Sequence, residues 1–259
     1  MAVVTEAQAD AQVPAGALPT VAAEGRGAAR PHNRTVAALF VAPVGPYSRA
    51  ENVELWDEKR DARLYAGPYP VVAHPPCERW GRYWFGGPSS RVRLAKGDDG
   101  GCFAAALAAV RRWGGVLEHP AASAAWEAFG LHAPSRAGGW INADFEGGWT
   151  CCVDQEFYGH RAQKATWLYA CRVPLPSLRW GKGTSRIRVE DGYHSKEERR
   201  RKIRTGICQR LSHRERAETP VLFRDLLLAM ARGAEAGAAA SAVNSALGPP
   251  FLTSAFSEL

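Results

Sequence analysis

Val71-Val72-Ala73-His74-Pro75-Pro76-Cys77-Glu78-Arg79-Trp80-Gly81 is the stretch on which the reading of this chain turns. Its three leading apolar residues have the length and composition of a buried strand. Pro75 and Pro76 each hold φ near about −65° and carry no N–H, so the strand has to stop there. Cys77 is therefore delivered on a stiff, irregular loop at the carboxyl end of a strand, the end of an open α/β sheet at which ligands bind. A proline turn with a buried structural cysteine gives the same local pattern. The flanking sequence has to separate the two.

On the downstream side, residues 80–93 are aromatic and glycine-rich and read as a mobile loop over the site. Asp98 or Asp99 then caps a helix whose apolar positions Phe103, Leu107 and Val110 recur at helical spacing. Arg111 and Arg112 suit its last turn and Gly114-Gly115 ends it. Val116-Leu117 is a further short strand closing on Glu118-His119-Pro120. Strand, loop with Cys77, helix and strand make one βαβ unit, whose crossover makes the two strands parallel neighbours. Cys77 and Glu118 then sit on one rim, although Glu118 also suits a solvated loop position.

Upstream, residues 35–41 read as a first buried strand running into the turn-forming loop Ala42-Pro43-Val44-Gly45-Pro46-Tyr47. Val53-Glu54-Leu55-Trp56 is a second short strand, with Asp57 and Asp61 just after it. Beyond the βαβ unit, residues 149–155 and 166–171 are strand-like and Tyr158-Gly159-His160-Arg161 forms the turn region between them, a hairpin that holds Arg161 and Lys164 near one rim. Ser212 or Thr219 starts a last helix with Phe223, Leu226, Leu227 and Met230 on its core side.

The bulk properties bound the function class. The chain has 259 residues, enough for one substantial core, and a net charge of +7 that suits a polyanionic partner. Residues 172–210 hold twelve Lys and Arg against four Asp and Glu, more than the whole chain's excess. With Trp180 and Tyr193 close by, this segment reads as a nucleic-acid surface, and a solubilising face gives the same composition. Six cysteines without CxxC spacing read as reduced thiols of a cytoplasmic protein, with neither a disulfide framework nor a metal site. No apolar run reaches the roughly 20 residues of a membrane span, and the N-terminus lacks the basic start of a secretory signal. Residues 1–33 read as a disordered arm and residues 233–259 as a loosely ordered tail. The chain is read as a monomer.

Taken together, these pieces resemble the DNA cytosine-5 methyltransferase family, in the form of a divergent, reduced, phage-type member. His74-Pro75-Pro76-Cys77 is similar to that family's Pro-Pro-Cys nucleophile loop, and Leu117-Glu118-His119-Pro120 to its Glu-Asn motif, with His119 where the family has asparagine. The segment from Tyr158-Gly159-His160-Arg161 through Lys164 to Tyr169 looks like the hairpin whose basic residues hold the target base. The resemblance implies an α/β, Rossmann-like methyltransferase core over residues 34–171, with a mostly parallel sheet, a C-terminal β-hairpin and a reduced cofactor-binding half. A basic insertion at 172–210 would contact DNA, and a helix within 211–232 would pack on the core. It implies Cys77 as the thiolate that adds to carbon 6 of a flipped cytosine, Glu118 as the group at the ring's N3, and Pro76, Arg161 and Lys164 as substrate contacts. S-adenosylmethionine would be the methyl donor, bound by Phe40, Gly45, Asp57 and Asp61.

The loop after Phe40 has one glycine and two prolines where the family's cofactor loop is glycine-rich, which leaves two alternatives open. One is a catalytically degenerate, DNA-binding relative; the other is a cytosine modification that uses a different donor. A cysteine hydrolase pairing Cys77 with His74 or His119 is a further arrangement of the same residues.

Overall fold

Successive side chains of the first strands enter opposite buried faces and so define two cores. In the computed structural model, which describes residues 33–86, 91, 94–185, 187, 197, 200 and 211–235, β1 (Val36–Leu39) sends Ala37 and Leu39 into one core and Val36 and Ala38 into the other. β3 (Val71–Ala73) divides the same way, with Val71 and Ala73 on the first side and Val72 on the second. A strand buried on both faces is continuously apolar, and only a central position in a layered α/β structure supplies two covered faces.

Seven strands form one mixed sheet in the order β2-β1-β3-β4-β7-β6-β5. The remaining strands are β2 (Val53–Trp56), β4 (Gly115–Pro120), β5 (Ile141–Asn142), β6 (Gly148–Asp154) and β7 (Ala165–Cys171). β1 to β4 are mutually parallel, while β7 runs antiparallel between β4 and β6 and β5 is an antiparallel edge. This α/β sheet is compatible with a Rossmann-like arrangement. The long connection between β3 and β4 carries α1 (Cys102–Trp113) across the first core, burying Phe103, Ala106, Leu107, Val110 and Trp113. Gly115 opens β4 at φ 144°, where a Cβ would run into the Val71 carbonyl, so the close approach of β4 to β3 requires glycine there.

The short α2 (Ala124–Ala128) joins the first core through Trp126. On the other face α3 (His213–Ala217) starts on a Ser212–Glu215 capping box, and α4 (Val221–Arg232) follows from Pro220. α4 buries Phe223, Leu227, Leu228, Met230 and Ala231 against the second core.

Several sequence expectations change in the structure. β4 is longer than the predicted Val116-Leu117 run: it continues through Glu118, His119 and Pro120 because β7 pairs with all of it. The helix has Gly101 at its N-cap; Asp99 reaches the helix from upstream, accepting the Phe103 and Gly101 N–H groups. Trp80 is not part of a mobile loop. It is 6% exposed, packs on Phe103 and Phe129, and donates its indole N–H to Asp99 at 2.8 Å. Trp180 is half-buried, with its ring near-perpendicular to that of Trp140 and Gly138 packed against it. The expectations placed on residues 1–32, on most of the 186–210 part of the basic segment, including Tyr193, and on 236–259 fall outside the described residues.

Candidate functional site

Strand register brings the central pair together. β3 and β4 pair Val71 with Gly115, Val72 with Val116 and Ala73 with Leu117, so the next position on each chain is His74 beside Glu118. Alternation sends both toward the second core, on the side of Val72, Val116 and Tyr47. There His74 Nδ1 lies 2.9 Å from Glu118 Oε2, and Tyr47 Oη lies 2.7 Å from His74 Nε2. Tyr47 comes from a single 3-10 turn (Tyr47–Arg49) in the β1–β2 connection.

The hairpin closes the same face. Gln155, in the 3-10 turn (Gln155–Tyr158) after β6, donates from Nε2 to Glu118 Oε1 at 3.1 Å and to Thr166 Oγ1 of β7 at 2.9 Å. Both carboxylate oxygens of Glu118 are thus held by side chains. Burial works to raise this carboxyl. The hydrogen bond and charge of His74, with Lys164 and His119, outweigh burial and hold it at about 2. Glu118 is therefore an ionised group in an enclosed place, and its stability there depends on those partners.

Cys77 is half-buried on the loop after β3. Burial, then the negative charges of Glu118 and Glu78, push its thiol up to about 11, and Lys164 acts against them. Lys164 is itself pulled down by burial while Glu118, Cys77 and Glu218 push it up; its Nζ donates to the Glu218 carbonyl at 2.9 Å. Cys77, Glu118 and Lys164 therefore share one electrostatic neighbourhood although they come from a loop, a strand and a hairpin turn.

The next residue on β4 faces the opposite way. His119, 1% exposed, sits beside Phe103 and Trp126 in the first core, with Nδ1 2.7 Å from Ser123 Oγ, the N-cap of α2. Its Nε2 makes no hydrogen bond of normal geometry. Burial lowers this imidazole to about 4, with Glu118 and the Pro76 carbonyl working against it. Neither histidine bonds the Cys77 thiol: His74 is taken by Glu118 and Tyr47, and His119 by Ser123. The cysteine-hydrolase arrangement thus lacks the imidazole contact that would activate its nucleophile.

The remaining sequence candidates are scattered. Pro76 is exposed beside Cys77. Arg161 is exposed and pairs with Glu215 at 3.0 Å, lining a cavity of about 380 Å³ with Tyr158, Glu215, Glu218 and Leu222. Phe40 stands at φ 59° with its N–H on the Trp56 carbonyl. Gly45 bonds Ser48, and a Cβ there would meet nothing, so no close approach depends on it. Asp57 accepts the Arg60 N–H. Asp61 is clasped by Arg63 through both oxygens, which lowers its carboxyl. Phe40, Gly45, Asp57 and Asp61 do not make the glycine-lined cradle expected for S-adenosylmethionine, and the set does not fit that cofactor.

Sequence reasoning left Gln155 and Thr166 unmarked and gave Tyr47 no role. The signal that finds His74 is parity: it stands one step past Ala73 as Glu118 stands one step past Leu117. Tyr47 and Gln155 lie in irregular turns and carry no such signal. No family model matches this chain, and no curated protein or solved structure matches it either.

Proposed function

We propose that this chain is a DNA cytosine-modifying enzyme of the cytosine-5 methyltransferase type, which captures a flipped cytosine through Cys77 and makes its carbon 5 nucleophilic. The observation that supports this reading is the proximity of Cys77, Glu118 and Lys164, with Glu118 and Lys164 both acting on the charge of the Cys77 thiol and Lys164 on that of Glu118. The Cys77 sulfur would form a bond to carbon 6 with its lone pair. The ring's π electrons then move toward carbon 5 as N3, facing Glu118, takes a proton. Lys164 is a donor suited to the ring's O2 or to a flanking phosphate. The base has to leave the stack to meet a loop cysteine, and the positive excess of the chain favours a polyanion.

Methyl transfer from S-adenosylmethionine is the reaction the resemblance implies. Because the first-loop residues do not fit that donor, no step is derived through it, and another one-carbon or alkyl donor is equally open. The capture half is testable without any donor. DNA labelled with tritium at cytosine carbon 5 should release tritium to water, since addition at carbon 6 makes the carbon 5 hydrogen exchangeable. Cys77→Ala should abolish the release; wild-type protein that releases none at neutral or alkaline pH sinks the reading. Methyl-labelled S-adenosylmethionine added to the same mixture then tests the donor. A DNA-binding module without turnover is the second reading, favoured by the thiol pushed up to about 11. It expects DNA binding that survives Cys77→Ala.

A further inference from the structure

His74 touches Glu118 and Tyr47 at once, and the capture chemistry above, on which this inference rests, leaves one proton without a source. Glu118 has to present a proton to the ring's N3, yet it stands as a carboxylate with both oxygens engaged. We infer that His74 is the proton reservoir for Glu118, and that Tyr47 fixes the His74 ring so that the proton leaves through Nδ1.

The geometry supplies a continuous path. Tyr47 Oη, His74 Nε2, His74 Nδ1 and Glu118 Oε2 are joined by contacts of 2.7 and 2.9 Å, and the His74 and Glu118 side chains are 13% and 11% exposed. Moving one proton from imidazolium to carboxylate turns an ion pair into a neutral pair with no change in net charge. Entry of an uncharged base, which expels water, favours the neutral form. The balance is one proton throughout. The His74 Nδ1–H bond breaks as the Glu118 O–H bond forms. That O–H bond then breaks as N3–H forms and the Cys77 thiolate pair closes the S–C6 bond. The thiol's own proton has already gone to solvent, and loss of the adduct returns the N3 proton by the reverse path.

Neutralising Glu118 also removes one of the charges that raise the Cys77 thiol, which couples acid and nucleophile through a single loop. The titratable groups in contact with His74 are Tyr47 from the β1–β2 connection and Glu118 from β4. His119 of β4 acts on it by charge from the opposite face. Lys164 of the hairpin acts on Glu118 and, with Glu78, on Cys77 of the same loop, and Arg224 and Asp225 of α4 act on Tyr47.

The test uses tritium release from carbon-5-labelled DNA across pH with the full chain. Wild type should give a bell, rising as thiolate forms and falling as the His74–Glu118 pair loses its proton. His74→Asn keeps a donor on Glu118 but has no proton to hand over. It should lose about 10²-fold in rate, the scale of general acid catalysis, and its optimum should move to lower pH. Tyr47→Phe removes only the hydroxyl and carries the test if His74→Asn does not fold; a fall of about 3–10-fold, the worth of one hydrogen bond, with a displaced optimum is expected. A His74→Asn or Tyr47→Phe protein with the wild-type rate and pH profile overturns the relay alone. Wild-type protein whose release matches Cys77→Ala overturns the capture reading and the relay with it.

Discussion

Glu118 and His119 are consecutive residues of one strand, buried on opposite faces, and both are moved away from their solution behaviour, His119 by burial and Glu118 by partners that outweigh burial. His119 is held neutral, near about 4, whereas an exposed histidine titrates near 6.5. Between those values the unfolded chain binds a proton that the folded chain refuses, so stability is present above pH 6.5 and is lost as pH falls toward about 4. At 1.36 kcal/mol per unit this amounts to roughly 3 kcal/mol. His119→Asn should flatten that window in urea denaturation series. Glu118 is depressed to about 2 from 4.5, so its contribution is present above pH 4.5 and is lost as pH falls toward 2. Glu118→Gln should remove this second, more acidic loss. The same substitution deletes a negative charge beside Cys77, and the thiol should become easier to ionise. Iodoacetamide should then alkylate Cys77 faster at neutral pH in Glu118→Gln than in wild type, and an unchanged rate would sever the two groups.

At the scale of elements, the Cys77 loop is braced from two sides. Before it, β3 locks His74 against Glu118; after it, Trp80 is packed into the first core and bonded to Asp99, which also receives the Phe103 N–H at the start of α1. Asp99 thereby ties the loop to the crossover helix. Asp99→Ala leaves the indole N–H of a buried tryptophan and a helix-end amide without partners, and should cost about 1–3 kcal/mol in chemical denaturation. A loss within error would mean that the aromatic packing of Trp80 on Phe103 and Phe129 holds the loop unaided. The helix was legible in the sequence because Phe103, Leu107 and Val110 recur on one face. Its first residue was not, because Asp99 bonds the helix across an intervening glycine pair instead of standing at the N-cap.

At the scale of the molecule, the antiparallel hairpin β6–β7 completes a face that the parallel strands begin. It brings Gln155 onto a carboxylate on β4 and Lys164 within reach of its charge, while Lys164 Nζ bonds the Glu218 carbonyl at the end of α3 and Arg161 pairs with Glu215 of α3. The two hairpin cations therefore predict different phenotypes. Arg161→Ala breaks an exposed pair and should change stability by about 0–1 kcal/mol. On the DNA-binding reading each of Arg161→Ala and Lys164→Ala should lower the slope of log affinity against log salt by about one. Only Lys164→Ala should also alter the alkylation pH profile of Cys77, because Lys164 is the cation that opposes the rise of that thiol. Fluorescence anisotropy on a labelled duplex over a salt series checks the first point; a slope that both substitutions leave untouched would place the phosphate contacts elsewhere on the chain.

The sequence by itself determined the elements whose causes are local: apolar runs buried on both faces, the stop imposed by Pro75 and Pro76, the helical spacing before Gly114, and the crossover that makes β3 and β4 parallel neighbours. It also brought Cys77 and Glu118 to one rim, since a βαβ unit permits little else. Only the tertiary structure decided how far β4 runs, because pairing with β7, more than forty residues later, extends it over Glu118 and His119. It alone turned Glu118 toward His74 and His119 toward Phe103, since facing follows from register and a shift of one residue exchanges the two sides of a strand. Tyr47 and Gln155 reach Glu118's surroundings from irregular turns with no period to read, and their places are set by what the packed sheet leaves for a polar group to bond.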